Sequence, residues 1–127
     1  MIDKDRVILE IVMRDPRYSA EAYDFVFEAL DFTLRRRGGA ARHVSGAEIM
    51  ESVRLLALEQ FGYLARAVLA QWGITSTDDF GDVVFNLIEA DLLQKTADDR
   101  REDFAHLFDF ESAFDENFRA TLEQSEL

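Results

Sequence analysis

Residues 43–104 read HVSGAEIMESVRLLALEQFGYLARAVLAQWGITSTDDFGDVVFNLIEADLLQKTADDRREDF, and this stretch decides the expected fold. It opens with a short extended piece at Arg42, His43 and Val44, then gives three helices and a two-stranded hairpin, the element order of a winged helix. Ser45-Gly46-Ala47-Glu48 matches the capping box, in which serine and glutamate satisfy each other's end of a helix. The helix it opens carries Ile49, Val53 and Leu56 on one row and Met50, Ala57 and Phe61 on the next. Gly62 breaks or bends it. Leu64, Val68, Leu69 and Trp72 form the stripe of the following helix, which Gly73 closes. After the turn Ile74-Thr75-Ser76, Ser76 or Thr77 caps a helix that points Phe80, Val83, Val84, Leu87 and Ile88 inward. Two helices joined by a short glycine-bearing turn match the helix-turn-helix pattern. The hairpin is expected from a strand over 92–96, a turn over 97–101 and a return over 102–104.

Outward from this core, Val7, Ile8, Ile11 and Val12 have helical spacing, and Asp15-Pro16 stops that first helix because a residue before proline avoids the α region. Ser19 is the expected N-cap of a second helix running to about Arg37. Its stripe of Tyr23, Val26, Phe27, Leu30 and Leu34, with Phe25, Ala29 and Phe32 beside it, is wide enough for a central core position or half of an oligomer interface; the core is preferred. Beyond the hairpin, Phe110, Phe114, Phe118 and Leu122 recur every four residues as a terminal helix capped by Asp109. The expected fold is therefore mainly α and a single domain. A helical pair (1–39) packs on a winged-helix-like core of three helices plus a small β-hairpin (40–108), closed by a C-terminal helix and tail (109–127).

The chain has 127 residues, eleven of them phenylalanine, and no cysteine, so it can build a core but holds no disulfide, thiolate metal site or cysteine nucleophile. Its N-terminus lacks a signal-peptide pattern, and no apolar run is long enough to span a bilayer; a cytoplasmic protein without membrane contact is expected. The net charge of −12 is uneven. Residues up to Thr75 carry 11 acidic and 10 basic side chains, and those from Ser76 carry 15 acidic and 4 basic. The second half repels nucleic acid.

Chemistry is sparse. The two histidines, His43 and His106, have no metal-binding spacing. Neither a calcium loop nor a nucleophile elbow nor a phosphate loop is present. No cofactor is expected. Asp98 and Asp99 in the hairpin turn offer at most a weak divalent site. Arg35, Arg36 and Arg37 complement the dipole at a helix end, and with Arg42 they form the candidate phosphate contact. Asn86 has the chemistry to read an adenine edge, but Asp82 and Glu89 bracket it, so a packing role is preferred.

Several runs stand out together: Glu10-Ile11-Val12-Met13-Arg14-Asp15-Pro16-Arg17-Tyr18, His43-Val44-Ser45-Gly46, Trp72-Gly73-Ile74, Asp79-Phe80-Gly81-Asp82-Val83-Val84-Phe85-Asn86-Leu87 and Lys95-Thr96. They resemble a family of small conserved hypothetical proteins found mainly in the Planctomycetes and Verrucomicrobia, over nearly the whole chain. The resemblance implies a bacterial, cytoplasmic, standalone protein and brings no activity, ligand or site residue with it.

Charge chooses the expected function. The helix that would enter DNA carries Asp78, Asp79, Asp82 and Glu89, which oppose phosphate. With Asp98 and Asp99 these make up the candidate acidic partner surface. The expectation is a non-enzymatic protein–protein interaction or adaptor domain, with a homo-oligomer as one form of that association. The alternatives are a winged-helix transcription regulator using Arg35, Arg36, Arg37 and Arg42, and a small metal-dependent enzyme using Asp98 and Asp99.

Overall fold

Helices α1 (Lys4–Arg14), α2 (Ala20–Arg36), α3 (Gly46–Phe61), α4 (Ala65–Gln71) and α5 (Thr77–Glu89) account for most of the computed structural model, which describes residues 3–36, 44–93 and 104–116. A 3₁₀ turn, Gly62–Leu64, links α3 to α4, and a π-helical segment, Glu111–Glu116, follows Phe110. Among the described residues no helix is long and apolar enough to cross a membrane.

The boundaries follow local chemistry. Asp3 caps α1 by accepting from the Arg6 amide. The capping box of α3 is complete: Ser45 Oγ accepts from the Glu48 amide, and Glu48 Oε1 accepts from the Ser45 amide. Gly62 ends α3 at φ +51°, and Gly73 follows α4 at φ +93°, both left-handed. Ser76 caps α5, accepting from the Asp79 amide. Ser19 does not act as expected. Its hydroxyl caps nothing, while its amide donates 3.1 Å to the Trp72 carbonyl and so ties the start of α2 to the end of α4.

α2 is the central helix. It lies along α3 and also packs on α1 and α5. Ala22, Tyr23, Phe25, Val26 and Ala29 on α2 are all buried. These residues place much of the wide apolar surface of α2 in the core. Toward its C-terminus, the buried Thr33 donates to the Ala29 carbonyl and accepts from Ser52 of α3, so no hydroxyl proton is stranded in that contact.

The winged-helix core is not what the chain forms. Mainly α is right, but no strand occurs among the described residues. Leu92 and Leu93, read as the first hairpin strand, instead close α5. The Asp91 amide donates to Ile88 and the Leu92 amide to Leu87, with Asp91 at φ +61°. This is a Schellman closure with aspartate in the place glycine usually takes. The apolar pair packs back onto the core, but not in the extended backbone that was expected. Phe104, read as the end of the return strand, is a fully buried plug. It packs edge-on against Phe85 and sits where a Cβ on Gly46 would come within 2.8 Å of its ring. Val44 has no regular structure. Arg42, His43 and residues 94–103, the rest of the expected strands, lie outside the described residues, as does the expected terminal helix beyond Glu116. Asp109 does cap the segment after it, accepting from the Ser112 amide.

Candidate functional site

The expected acidic surface on α5 is largely spent inside the molecule. Asp82 is buried, at 9% exposure, where Tyr18 donates to it at 2.6 Å and Arg17 at 3.3 Å. Asp79 accepts from the Thr75 amide and hydroxyl and lies 3.1 Å from the Tyr18 hydroxyl. Asp78 accepts from the His106 amide, while Thr77 Oγ1 accepts from the Leu107 amide, so the start of α5 holds the loop at 104–108. Of the four carboxylates only the exposed Glu89 has no structural contact named here. Asp98 and Asp99 lie outside the described residues, as do Arg37 and Arg42. Arg35 pairs with Asp31, and Arg36 lies over the Phe32 ring. Asn86 donates to Asp15 and to the Tyr23 hydroxyl, 3.0 Å each, and therefore packs rather than reads.

These contacts form one network between the α1–α2 turn and α5. Arg17 grips Asp15 through two 2.8 Å bonds in the bidentate geometry of a strong guanidinium–carboxylate pair. That grip, helped by Asn86, holds the Asp15 carboxyl well below the usual range and the guanidinium above its own. Burial first, then the Asp79 charge, pushes the Tyr18 phenol up to about 12. Arg17 is 58% exposed, but its donors are directed at Asp15 and Asp82 and are not free for an anion. The arrangement locks two elements together. Gly73 permits it: a Cβ there would come within 2.0 Å of the Arg17 carbonyl oxygen. Three of the runs singled out in the sequence, around Arg17, Trp72 and Asp82, thus meet in space.

A different acidic group stays open. Glu21, Asp24 and Glu28 project from one face of α2 at helical spacing and are exposed. Beside them lies a recess of about 240 Å³ lined also by Phe25, Gln60, Phe61 and Trp72. The three rings form a cluster, with centroids 5.4 Å apart for Phe25–Trp72, 5.7 Å for Phe61–Trp72 and 5.9 Å for Phe25–Phe61. Phe61 and Trp72 meet edge to face and are only half buried. Gln60 bridges the recess by donating to Glu28. Partial desolvation, followed by the like charges of Asp5, Glu21 and Glu28, pushes the Asp24 carboxyl up, opposed by Lys4. Lys4 itself lies over the Phe27 ring, 4.5 Å from its centroid.

Two further recesses among the described residues include groups already engaged. One, near the end of α2, is walled by Thr33, Ser52 and the Arg54-paired Glu51. Another lies beside the Arg66–Asp115 ion pair. Among the described residues no three His, Asp or Glu side chains converge as a metal site. The sequence carried a signal for the open group, the Glu21, Asp24, Glu28 spacing around Phe25, but not for its partners on α3 and α4. Comparison with family models, with characterised proteins and with solved structures finds no match for this chain.

Proposed function

We propose that the protein is a non-enzymatic interaction module that docks a basic protein partner. One observation carries this reading. Asp78, Asp79 and Asp82 of α5 are consumed in holding the fold, whereas Glu21, Asp24 and Glu28 of α2 stand exposed around an aromatic-floored recess. Carboxylates bonded by internal donors are occupied in the fold; carboxylates left in water beside half-buried rings are positioned for association. The −12 net charge steers a basic partner inward and holds polyanions off. The bacterial, cytoplasmic setting implied by the family resemblance belongs to the same proposal.

The test is sedimentation of the tagged chain in extract of its own cells, with and without added salt. A complex larger than the free protein, dissociating as salt rises, supports the module. Migration as the free protein at low ionic strength overturns it, and so does saturable binding to random duplex DNA that weakens steeply with salt.

A further inference from the structure

Trp72, Phe61 and Phe25 floor the recess on α2, and Glu21, Asp24 and Glu28 rim it. At about 240 Å³ it falls below the roughly 300–1,000 Å³ of small-molecule pockets, which suits a single side chain better than a cofactor. Half-exposed aromatic rings attract a cation through the negative faces of their π-systems, tryptophan most strongly. A guanidinium adds what an ammonium lacks: a flat face that stacks on an indole and a fork of donors that matches a carboxylate. The recess offers both complements side by side. Resting on the module reading above, we propose that this groove seats one arginine side chain from a basic segment of the partner protein, stacked against Trp72 and hydrogen-bonded to the α2 carboxylates.

Two further observations agree. Lys4, the cation whose charge acts on Asp24, lies over the Phe27 ring and does not line the groove. Partial desolvation, with the like charges of Asp5, Glu21 and Glu28 added and Lys4 opposing, pushes the Asp24 carboxyl up, and an incoming guanidinium acts against that push.

Trp72 is the only tryptophan in the chain, so its fluorescence reports on the groove directly. The full chain is titrated with N-acetyl-arginine amide and with a peptide of alternating glycine, serine and arginine, at an ionic strength of about 0.01 M. Lysine and glutamate versions of the peptide serve as comparisons. The expected result is a saturable change in Trp72 emission with the arginine peptide, a weaker one with lysine and none with glutamate. The E21Q/D24N/E28Q variant, altered only at exposed side chains, keeps its thermal midpoint and binds about tenfold more weakly. The variant E10Q/E89Q/D91N loses the same charge elsewhere and binds nearly as the native chain does.

No Trp72 response from the native chain overturns the proposal, as does equal weakening in both variants. A self-associated chain that dissociates on the α2 substitutions also overturns it, because the groove then belongs to a second copy. Absence of the peptide response with the cellular complex intact removes the groove alone. A free chain in extract with the response intact removes the module reading alone.

Discussion

Asp15 and Asp24 are the same residue type nine positions apart, and the fold treats them oppositely. Asp15 is clamped by Arg17 and Asn86, and its carboxyl is held down. Asp24 is partly desolvated and lies near Asp5, Glu21 and Glu28 with Lys4 opposing, and its carboxyl is pushed up. The first belongs to a closed network whose carboxylates are bonded by donors from other elements; the second belongs to an exposed rim. Acidity in this chain is therefore two properties, one that ties helices together and one that faces outward. A net charge of −12 cannot separate them; the contacts can.

The sharpest way to break the closed region is Gly73→Ala. The new methyl meets the Arg17 carbonyl oxygen at 2.0 Å on a backbone at φ +93°. Left-handed strain and backbone displacement together cost on the order of 3 kcal/mol or more. Urea unfolding measures this, and a midpoint equal to the native one contradicts the close approach. Next comes Asp82→Ala, which strips the Tyr18 hydroxyl and Arg17 of a buried acceptor. A loss of about 2 kcal/mol is expected in the same assay.

Titration sharpens the comparison further. The folded Asp15 carboxyl lies below its ordinary value of 3.8. Its stabilisation is therefore present above that value and fades as pH falls through it toward the depressed one. Asp15→Asn should flatten that part of the acid limb in a pH series of melts. Tyr18 has the opposite sign. Raised from 10.0 to about 12, it stabilises below pH 10, and that contribution fades as pH climbs through 12. Tyr18→Phe removes this alkaline contribution, and phenolate absorbance checks it. The smallest effect belongs to Asp24→Asn. Because the folded state disfavours the ionised form of Asp24, neutralising it leaves stability unchanged or raises it by about 0.3 kcal/mol at neutral pH. A clear loss there would erase the contrast with Asp15.

Five helices were legible because their apolar residues repeat at helical spacing and their ends carry recognisable caps: Ser45 with Glu48, Ser76, Gly62 and Gly73. The hairpin was misread at Leu92 and Leu93 because a two-residue apolar run says that a segment is buried, not which way its backbone turns. A Schellman closure on aspartate gives no glycine to announce itself. The role of α5 was misread for another reason. Asp79, Asp82 and Asn86 share one face at i, i+3 and i+7, which one helix alone presents as solvent-facing. That Asp15, Arg17 and Tyr18 cover this face is a property of tertiary packing. Likewise the spacing of Glu21, Asp24 and Glu28 was readable along α2, but their neighbours Phe61 and Trp72 arrive from other helices.

The network across the α1–α2 turn also has a temporal consequence. Asp15, Arg17 and Tyr18 leave the ribosome early, yet the side chains they bond lie 61 to 71 positions later. Until those residues emerge, the central helix lacks α5 to cover the flank that α3 leaves open, a condition that favours aggregation of nascent chains. Assembly of the first two helices must therefore wait on translation of the fifth, and messages truncated ahead of Asn86 should yield sticky, protease-sensitive fragments rather than a smaller stable protein.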